Sequence, residues 1–148
     1  MNISGQLYKH IFVTTNLTKD CQKVIEHAAT LAKLTKAKIS IGYVLPHNPD
    51  AYCGEFSIEI DHGAEVKFET KVRKALSKIC EKYGIPLKNQ IISDGSVVST
   101  ILNLSEKIDA DLIVIGAHHH DYWQALFGSK AGSISNQSRH NVLVIHTE

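Results

Sequence analysis

Hydrophobic positions change their spacing several times along the chain, and each change marks an element. Tyr8 to Thr14 (YKHIFVT) is a short β-branched apolar run. In Lys38 to Leu45 (KISIGYVL), Ile39, Ile41 and Tyr43 alternate, so both runs predict strands. Between them Cys21, Val24, Ile25, Ala28, Ala29 and Ala32 recur at three- and four-residue spacing, one apolar stripe along a helix of about four turns. Thr18 is placed to cap that helix, its hydroxyl accepting from a backbone N–H without an intrahelical partner. Pro46 to Gly54 (PHNPDAYCG) holds two prolines and no periodicity, and predicts a surface loop. Phe68, Val72, Ala75, Leu76, Ile79, Cys80 and Tyr83 predict the longest helix, stopped by Gly84 and Pro86. Leu87 to Ser93 is a weaker strand, and Ser96 can cap a helix bearing Val97, Val98, Ile101, Leu102 and Leu104. Asp111 to Gly116 and Asn141 to His146 are nearly continuous apolar runs, as expected of strands covered on both faces.

Strands that alternate with helices predict an α/β fold: a single-domain three-layer α/β/α sandwich, Rossmann-like, with a five-stranded parallel sheet and right-handed crossovers. One domain over residues 1–148 accommodates this count, with four helices in all. Ligands of such sheets sit outside the carboxyl ends of the strands, near the point where strand order reverses. Three loops therefore matter most: Thr14-Thr15-Asn16, Val44-Leu45-Pro46 and Gly116 to Ser129.

Composition narrows the partners. At 43% hydrophobic the chain can bury a substantial core. Sixteen Lys and Arg against fifteen Asp and Glu leave +1, too balanced for the broad positive field that non-specific nucleic-acid or anionic-membrane binding uses. No stretch approaches the roughly 18 apolar residues of a spanning helix, and Met1 to Gly5 leads straight into the first strand run, so a cytoplasmic protein is expected. Cys21, Cys53 and Cys80 form no C-x-x-C pair, which argues against a disulfide framework or a zinc site. Nine histidines add positive charge below about pH 6.5.

Gly116 to Ile145 reads GAHHHDYWQALFGSKAGSISNQSRHNVLVI: strand, glycine, His-rich loop, Gly128-Ser129, a short helix and the last strand. This closely resembles the carboxyl-terminal signature of the universal stress protein family, and most of all its universal stress protein A subgroup. Thr14-Thr15-Asn16-Leu17-Thr18 and Tyr43-Val44 also fall where that family has signatures, so the resemblance spans essentially the whole chain. It implies the adenine nucleotide alpha hydrolase-like variety of the fold. Members that bind ATP carry G-x2-G-x9-G-[ST], whose glycines let backbone N–H groups approach the phosphates and whose last pair opens a helix. Gly116 and Gly128-Ser129 match the outer parts of that pattern. His119 stands where the second glycine belongs, and eight residues rather than nine separate it from Gly128. The Asp that ATP-binding members place near the adenosine is Asn16 here.

The resemblance thus implies a candidate nucleotide site of Thr14, Asn16, Val44, Gly116, His118, His119, Gly128, Ser129 and Lys130, with Asn16 and Val44 near the adenosine and Gly116, Gly128, Ser129 and Lys130 cradling phosphate. Gly128-Ser129 reads equally as the turn and cap that starts the last helix. His118, His119 and His120 with Asp121 suit a metal by residue type, but adjacent loop residues seldom aim three rings at one ion, and a polar loop is the simpler account. Tyr122, Trp123, Leu126 and Phe127 suit core packing or a subunit contact. Family members commonly dimerise through the last strand, so a homodimer through Asn141 to His146 is expected. The loops offer no G-x-S-x-G elbow, no Walker pattern and no acidic pair after the first strand. The expectation is a cytosolic, dimeric stress-response module with weak or no ATP binding. The alternative is an ATP-binding member, with magnesium, that works as a nucleotide-controlled switch or hydrolyses ATP slowly.

Overall fold

The computed structural model of this chain describes residues 5–17, 19–45, 62–118 and 140–147. Five strands lie in it, β1 (His10–Thr14), β2 (Lys38–Leu45), β3 (Gln90–Asp94), β4 (Leu112–His118) and β5 (Asn141–Thr147), with helices α1 (Cys21–Thr35), α2 (His62–Tyr83) and α3 (Val97–Lys107). All strand pairs are parallel, in the order β3-β2-β1-β4-β5. The expected α/β sandwich is therefore present. Its fourth helix falls in residues 119–139, outside the described residues.

Two layers of core follow from the two-residue alternation of the strands. On one face Ile11, Val13, Ile39, Ile41, Tyr43, Leu112, Val114 and Ile145 meet α1 and α2. On the other Phe12, Val44, Ile113 and Ile115 meet Val97 and Ile101 of α3. Every residue of β1 is buried, as befits the central strand of a covered parallel sheet. The buried stripe of α1 is Cys21, Val24, Ile25, Ala28 and Ala32, the expected set less Ala29, which is half-buried.

Boundaries moved for identifiable reasons. After Pro86, residues Leu87–Asn89 form a 3-10 turn, so β3 starts at Gln90 rather than at Leu87. Asp111 does not open β4; its carboxylate accepts from the backbone N–H of Lys9 at 2.8 Å and of His10 at 3.0 Å. Strand β4 instead runs on to His118, because its pairing with β5 continues through His118 and Thr147. The β5 run was expected to be covered on both faces, yet Leu143 and Val144 are each 36% exposed, since β5 is an edge strand. Thr18 lies outside the described residues, and Asp20 holds the N-cap position of α1. Ser96 holds that of α3, but its side chain makes no cap hydrogen bond.

Helices α1, α2 and α3 end alike. The amide after a left-handed residue donates back across the last turn: Ala37 to Ala32 O at 2.8 Å, Ile85 to Cys80 O at 2.9 Å and Ala110 to Ser105 O at 2.9 Å. Gly84, with φ 71°, is the expected stop of α2, whereas Lys36 and Asp109 take the same conformation with side chains attached.

Candidate functional site

From β1 the chain steps outward through β2 to β3, then returns across the opposite face to β4, on the far side of β1. Strand order reverses there, and in open α/β sheets the crevice that takes a ligand lies beyond the carboxyl ends of the strands at such a point. The register Val13 to Val114 sets those ends side by side.

A tight turn builds the β1 wall. Thr15 N donates to Gly42 O at 3.0 Å, carrying the sheet one bond past the strand. Thr15 Oγ1 then accepts from Leu17 N at 3.0 Å, which folds the backbone around Asn16. Leu17 takes φ 61°, a left-handed conformation that costs a residue with a Cβ about 1–2 kcal/mol. Its side chain is nonetheless buried in the α1 core, and that anchorage holds the turn. Asn16 is left half-buried at the rim, while Thr14 and Thr15 are buried. Thr14 Oγ1 has no hydrogen-bond partner among the described residues.

Among the described residues, the β2 and β4 sides are apolar and close-packed. Val44, 8% exposed, closes the β2 side within the α3-face core. A Cβ on Gly116 would lie 2.8 Å from Val24 Cγ2, so this glycine lets α1 settle onto β4. A Cβ on Gly42 would lie 2.6 Å from Phe12 Cε1, so the Phe12 ring fills the space that Gly42 leaves on the α3 face.

Groups with displaced pKa lie away from this crevice. At the amino ends of the strands, burial pushes the His10 imidazole below its ordinary value, helped by Lys38 and opposed by the Ile108 carbonyl and the carboxylates of Asp111 and Asp109. Burial by itself would raise Asp111, but the amides of Lys9, His10 and Asp111, with His10 nearby, outweigh it and the net shift is downward. Burial alone pushes the Cys80 thiol up. Among the described residues no group of three or more His, Cys, Asp or Glu side chains could hold a metal ion, and no helix is long and apolar enough to cross a membrane.

A family model described as the universal stress protein family matches residues 7–146. The chain belongs to the universal stress protein family. It is 37% identical over 138 residues to universal stress protein A homolog 1 of Coxiella burnetii, covering 93% of this chain and 96% of that protein. Two solved structures are similar in fold. One is a universal stress protein in complex with cAMP, with TM-score 0.61 and 18% identity over 95% of this chain and 98% of that one. The other is the Archaeoglobus fulgidus universal stress protein in complex with dAMP, with TM-score 0.60 and 19% identity over 93% and 98% of the two chains.

In this universal stress protein the structure brings Thr14, Asn16, Val44 and Gly116 to the carboxyl edge of the sheet, with His118 as the last residue of β4. His119, Gly128, Ser129 and Lys130 lie outside the described residues, as do His120 to Phe127. Sequence reading named Thr14 for its place on β1 but not for its hydroxyl. It also missed the Thr15 turn, whose only signal is a threonine two residues ahead of a buried leucine, and the packing roles of Gly116 and Gly42.

Proposed function

We propose that this universal stress protein is a dimeric, cytoplasmic stress-response module. Its crevice takes the nucleoside half of an adenine mononucleotide and holds ATP weakly or not at all. The observation that carries the reading is the reversal of strand order between β1 and β4, with a folded, close-packed wall of Thr14 to Leu17 on one side and Val44 behind it. Such a slot suits a planar base. The phosphate side of the sequence pattern is altered: His119 replaces a glycine, and the spacing to Gly128 is one residue short. Each change bears on a triphosphate, which needs close backbone approach, more than on a monophosphate. Two proteins of the same fold are complexed with cAMP and dAMP, which is in keeping with that choice.

Calorimetry with AMP, cAMP and Mg-ATP tests the preference. The monophosphates are expected to bind at least tenfold tighter than Mg-ATP. Stoichiometric, micromolar Mg-ATP binding would instead favour the second reading, an ATP-controlled switch or slow ATPase. The buried thiols of Cys21 and Cys80, neither of them in a disulfide, suit a reducing compartment.

The dimer reading rests on β5. It is the sheet's edge among the described strands, and it presents Leu143 and Val144 beside unpaired backbone groups that a second copy can satisfy. Light scattering over a range of concentrations checks it, and a constant monomer mass would remove it.

A further inference from the structure

On the α3 face, the side chains of β1 run His10, Phe12, Thr14 toward the carboxyl edge, and those of β2 run Ser40, Gly42, Val44. A diagonal pairing links the two rows. His10 Nε2 lies 2.7 Å from Ser40 Oγ, and the Phe12 ring fills the space beside Gly42. Continuing the diagonal sets Thr14 beside Val44, whose side chain offers no hydrogen-bonding atom.

Thr14 is only 3% exposed, and its Oγ1 is the one buried side-chain nitrogen or oxygen among the described residues without a partner. An unpaired hydroxyl is costly to bury, and valine would fill the same volume without that cost. The hydroxyl also stands on the last residue of β1, beside the strand-order reversal, where sheets of this kind take their ligands.

We infer that Thr14 Oγ1 hydrogen-bonds the polar edge of the nucleobase, making Thr14 the base-reading residue of the crevice; this rests on the nucleotide reading above. Depth decides which part of the ligand it meets. Thr14 lies below Thr15 and Asn16, on the face lined by Phe12, Val44 and Ile115, where an ionised phosphate would lose its hydration to apolar side chains. A base brings few polar atoms and a flat apolar body, and one well-placed hydroxyl fixes its orientation.

The test uses the full chain as wild type, Thr14→Val and Thr14→Ser, with AMP and ribose 5-phosphate as calorimetric probes. Thr14→Val is expected to weaken AMP about tenfold, the worth of one neutral hydrogen bond, and to raise the ligand-free melting temperature by a few degrees. Thr14→Ser keeps the hydroxyl and is expected to stay within about threefold of wild type for AMP. Ribose 5-phosphate, which has no base, is expected to bind wild type and Thr14→Val alike. Equal AMP affinity in wild type and Thr14→Val overturns the role of Thr14 and leaves the nucleotide reading standing. An equal Thr14→Val penalty on both probes overturns the assignment to the base. Wild type that binds no adenine nucleotide overturns the inference together with the reading beneath it.

Discussion

The two ends of β1 handle buried polar groups in opposite ways. Among the described residues, every buried side-chain polar group at the amino end is paired. The Ile108 carbonyl can only accept, so His10 Nδ1 carries the proton that it shares at 2.9 Å, and His10 Nε2 accepts from the Ser40 hydroxyl at 2.7 Å. Asp111 takes the amides of Lys9 and His10, and its own amide donates to His10 O at 2.9 Å. At the carboxyl end, four residues away, the Thr14 hydroxyl is unpaired and Leu17 is held in a left-handed conformation. A closed network fixes where β1 and β4 begin. The unpaired, strained end is where free energy remains to be recovered by binding, and the topology puts the crevice at that end.

Removing the paired end should have the largest effect on stability. His10→Ala leaves a cavity and deprives both Ser40 Oγ and the Ile108 carbonyl of a partner, so a loss of about 3 kcal/mol is expected. For a chain of this size that lowers the melting temperature by about 10 °C. Denaturant unfolding with and without AMP separates the two ends: the variant should be less stable, with its AMP affinity unchanged near pH 7. A loss below about 1 kcal/mol would mean that the network does not anchor the sheet, and the contrast between the ends would fail.

Titrating the same network is a milder perturbation. The folded His10 pKa lies below its ordinary value, so the unfolded chain takes up a proton near pH 6.5 while the folded chain does not. The contribution of His10 is therefore complete above about pH 6.5 and is lost as pH falls through the folded value. Asp111 follows at lower pH, its contribution intact above about pH 3.9 and lost as pH falls through its own depressed value. Stability measured from pH 8 to pH 3 should show both declines. His10→Ala should flatten the first and Asp111→Asn the second; a profile that His10→Ala leaves unchanged would show that His10 protonates equally in both states.

The same contrast explains what could be read from the sequence. The alternation of strands and helices, the helix faces and the Gly84 stop were legible because they rest on repeated spacing and on one residue with a distinctive backbone. The amino-end network was not, since His10, Ser40 and Asp111 lie 30 and 101 residues apart and only the folded register joins them. The candidate residues were legible as positions in the fold: Thr14, Asn16, Val44 and Gly116 lie at or near the carboxyl ends of their strands. Their physical roles were not legible, because an unpaired hydroxyl or a helix pressed against Gly116 is a property of neighbours remote in sequence.

The smallest expected effect concerns the left-handed residues, which occur at both ends. Lys36 and Asp109, with φ 60° and 58°, close α1 and α3 at the amino edge, and Leu17 turns the chain at the carboxyl edge. Lys36 is exposed, its amide donates to Lys33 O at 3.4 Å, and the next amide closes the helix through Ala32 O. Glycine keeps those backbone bonds and relieves the Cβ, and part of that gain is offset by the freer unfolded chain. Lys36→Gly should therefore stabilise the protein by about 0.5 kcal/mol, with no effect on AMP binding. Leu17→Gly relieves the same strain but removes a buried side chain worth about 2 kcal/mol and frees the turn that holds Asn16, so it should both destabilise the fold and weaken AMP. Denaturant midpoints and calorimetry on the two variants measure this directly. If Lys36→Gly weakened AMP, or Leu17→Gly left it unchanged, strain at the carboxyl edge would have no connection with binding, and the unpaired Thr14 hydroxyl alone would distinguish that end.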